Sequence, residues 1–525
     1  MDDFGEQVMA RGGKTSGSPQ KSPGTAGPQS AVAQRHAALI REGIIAYEAG
    51  DIDAARTRFR AVLDENIEHP EALMGMGIVA RAMRQYQTAA ELLRRSIAAD
   101  PRSAIAWSNL GNALQDLDLW DDAVRANQEA VKLDPGHPGI RQNLASVLNS
   151  VDRPYQALPH FREALKQSGS PVDALVNYAT VLSRVGEYGA ADRNFKRALK
   201  QVPGHPVANF HYGMNQLWQG HWDIGWPLHE WRFLSGTYAG SLRPIPVTKE
   251  VPESFEGKRV FLFREQGIGD ELRFATMVED AARRGGEITL ECSEKLMPLF
   301  RRSFPALRLV AARYAPADRG EEVFDVAMPT GSLAQYLRRG RDTFPRDRTL
   351  LKTDPRRVTE FAERLQALGP EPKIGLCWRS GLRGRLRSDM YAAIEDLAPL
   401  FRLKGVVFVN LQYDDARAEI AQARERFGAE IQTFDDLDLF DDLDGSAALT
   451  EALDFVVSAN TSVATIAGGV STPGLEFFGR PIPKGYPIGG TDPWFPSIRP
   501  IGKRPSEPWS GLMRHIAGIV EKRQW

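Results

Sequence analysis

Cysteine is almost absent. Cys292 and Cys377 are the only two in 525 residues, and each sits inside an apolar, strand-like run. That excludes a disulfide framework and a thiolate zinc site, and it fits a reducing compartment. Charge of one sign is also lacking: 66 Lys and Arg stand against 67 Asp and Glu. No net field therefore draws the whole chain to nucleic acid or anionic lipid, and any basic site must be local. No apolar run approaches the ~18 to 20 residues a membrane helix needs, and the amino end shows no basic-then-apolar signal pattern. The expectation is a soluble, cytoplasmic protein without membrane insertion. The nine histidines form no HExxH or other ligand spacing, and there is no GxSxG, which removes metal hydrolysis and serine hydrolysis.

What the chain does have is a period. Gly43, Gly77, Gly111, Ala145, Ala179 and Gly213 recur every 34 residues, and Ala55, Ala89, Ala123, Ala157, Ala191 and Gly225 form a second series twelve residues later. Small residues at both places let the two helices of a hairpin approach closely. The apolar residues from about Ala33 to Leu234 recur at three- and four-residue steps, with breaks at Pro70, Pro101, Pro135, Pro171 and Pro203. The step of 34 is that of the tetratricopeptide repeat. The third copy resembles that family most closely, with Trp107, Leu110, Gly111, Ala123, Ala130 and Pro135 at its marked positions. Six stacked hairpins of this kind predict a right-handed superhelix with a concave inner face. The last copy runs into Trp218, Trp222, Trp226 and Trp231, read as packing against the next domain or, alternatively, as a stacking surface for a sugar or peptide. Before the repeats, twelve of the twenty residues from Arg11 to Ser30 are Gly, Pro or Ser, which predicts a flexible tail.

After a Pro-containing linker near Ser241 to Pro252, short apolar runs alternate with helical patterns. Arg259 to Phe263, Glu287 to Glu291, Leu307 to Ala311 and Phe324 to Ala327 read as strands of a small first lobe. Lys373 to Trp378, Gly405 to Leu411, Ala429 to Thr433, Phe455 to Ser458 and Gly474 to Phe478 read as a second. Near-continuous apolar strands separated by helices imply parallel sheets covered on both faces. Two such lobes would place a ligand cleft between them, outside the carboxyl ends of the strands.

Candidate chemistry lies at those ends. The first strand runs into Arg264-Glu265-Gln266-Gly267-Ile268-Gly269-Asp270-Glu271. Gly267 and Gly269 permit a tight turn or close approach by a ligand, and Asp270 either caps the following helix or acts on the ligand. Arg379, Arg383, Arg385 and Arg387, with Ser380 and Gly381, crowd the loop after the Lys373 strand. Guanidinium groups there suit bidentate contact with phosphate oxygens, though a solvated basic loop has the same composition. Asn460-Thr461-Ser462 precedes a small-residue helix and can present hydroxyls and amides to a phosphate, or simply cap that helix. Phe434 to Asp444 repeats Asp between apolar residues. It reads as an amphipathic loop rather than a divalent-metal site.

Gly267-Ile268-Gly269-Asp270 resembles the first-lobe loop of bacterial heptosyltransferases. Lys373 to Gly381, Leu411-Gln412 and Asp454 to Gly469 resemble their donor-lobe segments. The combined architecture resembles the repeat-linked O-GlcNAc transferases and the repeat-linked bacterial transferases that glycosylate flagellin. Where the heptosyltransferases have Asp-Thr and then His, this chain has Asn460-Thr461 and then Thr465, which argues against an ADP-heptose donor.

The resemblance implies a tetratricopeptide-repeat solenoid followed by an α/β glycosyltransferase of GT-B type with two Rossmann-like lobes. The expected organisation is a disordered tail (1–33), a repeat domain binding a protein acceptor (34–236), a linker (237–255), a first lobe (256–352) and a donor-binding second lobe (353–525). Asp270 or Glu271 would orient or deprotonate a Ser or Thr hydroxyl. Gly267, Gly269, Arg379, Ser380, Gly381, Arg383, Arg385, Arg387, Gln412, Tyr413, Asn460, Thr461 and Ser462 would bind a nucleotide sugar, with Asp435 beside Gln412 and Tyr413 at its nucleotide end and with no metal or other cofactor. Flagellin is the acceptor the resemblance points to, with a CMP-linked nonulosonic acid as donor. The competing readings are a transferase acting on lipopolysaccharide or another glycan, and a nonenzymatic adaptor whose transferase lobes have decayed.

Overall fold

The computed structural model describes residues 28–167, 169, 171–236, 248, 251–312, 323–381, 391–483, 485–504 and 507–523. Residues 1–27 of the expected tail, most of the linker, and Arg383, Arg385 and Arg387 lie outside the described residues, whereas residues 28–33, also assigned to that tail, open the helix Pro28–Glu48. The chain divides into two compact units, Met1–Val181 and Leu182–Trp525.

The described residues of the first unit are helical. Its hairpins pair Pro28–Glu48 with Ile52–Leu63, Pro70–Ala82 with Tyr86–Ala99, Ala104–Asp116 with Trp120–Leu133, and Pro138–Ser150 with Pro154–Gln167. The first helix of each hairpin also packs on the first helix of the next. Pro70 and Pro138 stand in the opening turn of their helices, where a missing N–H costs nothing because no acceptor awaits it. Ser103 caps its helix through the Ala106 N–H, and Pro101 and Pro135 fall in the turns between hairpins.

The two series of small residues meet each other. A Cβ on Gly77 would stand 3.3 Å from the carbonyl oxygen of Ala89, and one on Gly111 would stand 3.2 Å from that of Ala123. Phe59 fills the room left by two further glycines, since a Cβ on Gly43 or Gly75 would press into its ring. Ala55, Ala89, Ala123 and Ala157 are fully buried.

The second unit carries two sheets, and every strand pair in them is parallel. The first has the order β3-β2-β1-β4, built from β1 (Arg259–Phe263), β2 (Glu287–Cys292), β3 (Arg308–Ala311) and β4 (Val326–Pro329). The second has the order β10-β9-β8-β5-β6-β7, from β5 (Lys373–Cys377), β6 (Val407–Asn410), β7 (Ile431–Gln432), β8 (Phe455–Ala459), β9 (Gly474–Phe478) and β10 (Ile498–Gly502). Both orders start in the middle and wind outward in two directions, so each sheet has a point where the direction of crossover reverses. The loops after β1 and β5 sit at those points, where open parallel sheets hold ligands.

One apolar core joins the sheets to the helices before them. Leu217, Trp222 and Trp226 share it with Val260 and Leu262 of β1, Ile288 of β2 and Val456 of β8. Three of the four tryptophans find a specific seat. Trp226 donates its indole N–H to the Arg338 carbonyl at 3.0 Å, Trp222 packs on Phe344, and Trp218 lies between Tyr486 and Phe478 with the Arg480 guanidinium 3.9 Å from its ring centre. Among the described residues, no helix is long and apolar enough to cross a membrane.

The close approach at Gly111 gives a direct test. A methyl group there would drive into the buried Asn127 amide, which is held by the Ala123 carbonyl at 3.0 Å. Gly111→Ala should destabilise the first unit by ~1–3 kcal/mol. Gly136→Ala, whose Cβ meets only the Asp134 carboxylate at 3.6 Å, should be neutral within ~0.5 kcal/mol. Urea unfolding of the two variants measures the difference, and equal midpoints would show that helix spacing does not depend on the glycine.

Candidate functional site

The site residues read from the sequence stand at the carboxyl ends of β1, β5, β6 and β8. After β1, Gln266 takes a left-handed backbone (φ 63°) and Gly267 opens the helix Ile268–Ala275. After β8, Thr461 caps the helix Ser462–Gly469 through the Val463 N–H at 3.3 Å. These two helix starts meet. A Cβ on Gly269 would lie 3.6 Å from both the Ser462 Cα and the Thr465 hydroxyl, so the glycine loop of the first sheet faces Asn460-Thr461-Ser462 of the second.

Around β5, Cys377 lies at a hub. Its thiol is 3.6 Å from the Thr461 hydroxyl, the Gln412 side-chain oxygen and the Arg379 carbonyl, and burial pushes it up to about 11. The Gln412 amide donates to the Arg379 carbonyl at 2.9 Å and to Asp414 at 2.8 Å, and its oxygen accepts the Arg379 N–H at 3.2 Å. Tyr413 reaches the same loop, its hydroxyl accepting the Gly381 N–H at 3.1 Å and lying 3.3 Å from the Ser380 hydroxyl. Arg379, Ser380, Gly381, Gln412, Tyr413 and Thr461 therefore form one connected group.

The Arg379 guanidinium is not turned outward. It is gripped by Asp414 and by Glu419, with its Nε 2.9 Å from a Glu419 oxygen. Two carboxylates oppose one cation there, so the described part of this loop is not a ready anion site. Asp414 and Glu419 escaped the sequence reading because nothing in their local pattern marks them; they lie 35 and 40 residues along the chain from Arg379. Asn460 likewise turns inward, donating to Glu476 at 2.6 Å, and burial raises the Glu476 carboxyl above the ordinary carboxylate range.

Asp270 is half-buried on the first turn of its helix. Glu271 is committed elsewhere: it accepts the Ser293 N–H at 2.6 Å and its other oxygen lies 2.9 Å from the Arg264 Nε. Burial outweighs those contacts and pushes its carboxyl up to about 7.

Beside this group, outside β6 and β7, lies a cavity of about 320 Å³ lined by Gln412, Tyr413, Asp414, Asp415, Asp435 and Asp438, among others. It brings together the three residues assigned to a nucleotide end. The acidic run forms one wall, and its other carboxylates are taken by cations. Asp436 pairs with Arg364 at 2.7 Å and Asp441 with Lys295 at 2.6 Å, while Asp442 pairs with Arg357 and Asp444 with Arg302. Among the described residues no group of three or more His, Cys, Asp or Glu is arranged to hold a metal ion.

Comparison with known proteins agrees on the helical part. Residues 40–82 and 74–138 match the tetratricopeptide repeat family. The chain is 33% identical over 308 residues to Protein FlbA of Caulobacter vibrioides, an alignment that covers 56% of this chain and 51% of that protein. It thus spans about half the length of the curated relative. Among solved structures, the thermophilic repeat protein TTC0263 of Thermus thermophilus is 21% identical, covering 35% of this chain and 99% of that one with a TM-score of 0.31. PilF of Pseudomonas aeruginosa is 18% identical, covering 39% and 94% with a TM-score of 0.36. The chain carries tetratricopeptide repeats, followed by a region of parallel α/β structure.

The Glu271 carboxyl sets a pH dependence. The folded chain holds its proton up to about pH 7, whereas an unfolded chain releases it near ~4.3. Between those values the folded state binds more protons, so this group's contribution to stability falls as pH rises. Glu271→Gln removes that slope. Relative to the parent chain, the variant should gain stability between pH 5 and pH 8, by on the order of 1–3 kcal/mol. Urea midpoints at pH 5, 6, 7 and 8 report it, and parallel curves would mean that Glu271 is ionised throughout.

Proposed function

We propose that the protein is a nucleotide-sugar-dependent O-glycosyltransferase that modifies Ser or Thr hydroxyls of another protein, with two GT-B lobes and a repeat arm that recruits the acceptor. The observation that carries this reading is the meeting of the glycine loop with the Thr461 helix start beside a cavity that offers an aromatic ring and several carboxylates. Carboxylates accept hydrogen bonds from ribose hydroxyls and base amino groups, and the Tyr413 ring gives a base a face to lie on. The phosphates would then extend from the cavity toward Ser380, Gly381 and the amides at the start of Ser462–Gly469, where the helix dipole favours negative charge.

Within this reading Asp270, half-buried on the first turn of the glycine-loop helix, orients the acceptor hydroxyl and takes its proton. The departing nucleotide is stabilised by backbone N–H groups at the start of Ser462–Gly469, with no metal required, and Arg379 takes part only when Asp414 and Glu419 release it. Flagellin is the acceptor and a CMP-linked nonulosonic acid the donor favoured by family resemblance. The grip of Asp414 and Glu419 on Arg379 favours one alternative, a nonenzymatic adaptor that no longer binds a donor.

Two measurements separate these readings. Co-expression with flagellin in cells that make the activated sugar should add a sugar-sized mass to intact flagellin, and Asp270→Asn should reduce that modification by ~10²–10⁴-fold. No added mass, despite verified donor supply and acceptor binding, would leave a transferase with another acceptor or the adaptor. Calorimetric titration with CMP should show binding that weakens by ~5–100-fold in Tyr413→Ala, the loss expected for one base–aromatic stack. Equal affinity in both proteins would remove the nucleotide from this cavity.

A further inference from the structure

We infer that Arg232 is a positioning residue for the glycine loop, so that a side chain from the helical segment holds the candidate catalytic turn in shape; the inference rests on the transferase reading of that turn. Arg232 lies in the 3-10 turn Glu230–Phe233 that follows the last repeat helix, Trp222–His229. Its side chain and that of Glu265 are both fully buried, and Glu265 is the second residue after β1, directly before Gln266 and Gly267. The pair is bidentate: Arg232 donates through Nε to one Glu265 oxygen at 2.7 Å and through a terminal nitrogen to the other at 2.9 Å.

Both ends of the pair are tied further. Glu265 accepts the Gly331 N–H at 3.1 Å, just beyond β4. Arg232 donates to the Ser332 hydroxyl at 2.9 Å and to Glu230 at 2.6 Å, and that serine also bonds Glu230 at 2.8 Å. A side chain at Gly331 would collide with the Glu265 carboxylate and with the ring of Phe274, which belongs to the glycine-loop helix. The loop after β1, the turn after β4 and the end of the helical segment are thereby fixed to one guanidinium.

A buried ion pair of this kind adds little stability over apolar side chains of the same volume, because desolvation offsets most of the attraction. Its planar, two-point geometry does fix orientation. Stability and positioning can therefore be separated by replacement. In the full-length protein, Arg232→Met/Glu265→Met should stay folded, its melting temperature lowered only by the stranded Gly331 N–H, while amide hydrogen exchange over residues 264–271 speeds up about tenfold or more. Flagellin modification should fall in kcat by at least about tenfold, with the donor KM changed by less than about threefold. Arg232→Lys, which keeps the charge but loses the fork, should fall between.

Unchanged loop exchange in the folded double variant would overturn the inference, as would a rate that follows melting temperature across the series. Should the double variant fail to fold, Ser332→Ala removes one tie from Arg232 and should move loop exchange in the same direction by less. Loop exchange needs no substrate, so an inactive parent protein would count against the transferase reading while leaving the positioning of the loop to be judged by exchange alone. A loosened loop with unchanged turnover would keep the transferase and remove Arg232 from its machinery.

Discussion

The arrangement of the candidate site depends on one cross-sheet contact. Arg273 leaves the helix that begins at the glycine loop and donates to the Tyr486 hydroxyl at 2.9 Å; Tyr486 in turn donates to Asp492 at 2.9 Å. Asp492 is fully buried and also accepts the backbone N–H groups of Trp494 and Phe495. A buried carboxylate with this many donors cannot shift without stranding one of them, and a stranded buried group costs ~1–3 kcal/mol. The contact sets the first sheet's helix against the second sheet. From that follow the approach of Gly269 to Ser462 and the orientation of the strand ends toward one another.

Charge then decides what this geometry can accept. Counted by residue type, the walls described around Tyr413 are rich in acceptors: Asp414, Asp415, Asp435 and Asp438 line the cavity. Arg379 is drawn away from open space by Asp414 and Glu419, and Arg417 is paired with Asp415 at 2.8 Å. Such a cavity suits the donor-bearing end of a ligand and repels its phosphates. The division is physically coherent for a nucleotide, whose sugar and base carry the hydrogen-bond donors and whose anionic end must lie elsewhere, near helix-start amides. Phosphate binding through Arg379 itself would require its carboxylate partners to let go, and that exchange is the physical content of the contest between enzyme and adaptor.

Much of the fold was legible because its causes are local. Hairpin packing demands small residues at fixed intervals, so Gly77 facing Ala89 and Gly111 facing Ala123 left a period in the sequence. Buried parallel strands demand apolar runs, and β1 and β9 have the limits their composition implies. The strand β10 went unread because Arg499, Pro500 and Gly502 interrupt its apolar pattern, which an edge strand tolerates. Within the site Thr461 was legible as a helix cap; Gly267 and Gly269 were not dictated by their backbones, since the left-handed turn falls on Gln266 and a Cβ on Gly267 would meet nothing within 4 Å. The site's ionic partners were not legible: the pairings Arg379 with Glu419, Arg232 with Glu265 and Arg273 with Asp492 span 40, 33 and 219 residues. Charged residues are common and their sequence neighbourhoods carry no sign of distant partners, so such pairs exist only once the chain has folded.

The repeat period and the division of the chain into compact units do not coincide. The series of small residues continues to Gly213 and Gly225, where a Cβ on the former would stand 3.1 Å from the carbonyl of the latter, yet compactness changes between Val181 and Leu182. The reason lies in what covers the last hairpin. A repeat stack must bury its terminal face, and here that face carries Leu217, Trp222 and Trp226, which belong to the same apolar core as β1 and β8. The helices Pro206–Trp218 and Trp222–His229 have repeat geometry but pack as a layer of the α/β unit. Their far end then delivers Arg232 to Glu265. A chain severed by repeat count would therefore expose an aromatic core and leave Glu265 as an uncompensated buried charge, a far larger penalty than losing a linker. A division at the change in compactness leaves both on one side, although it falls inside the helix Val172–Arg184.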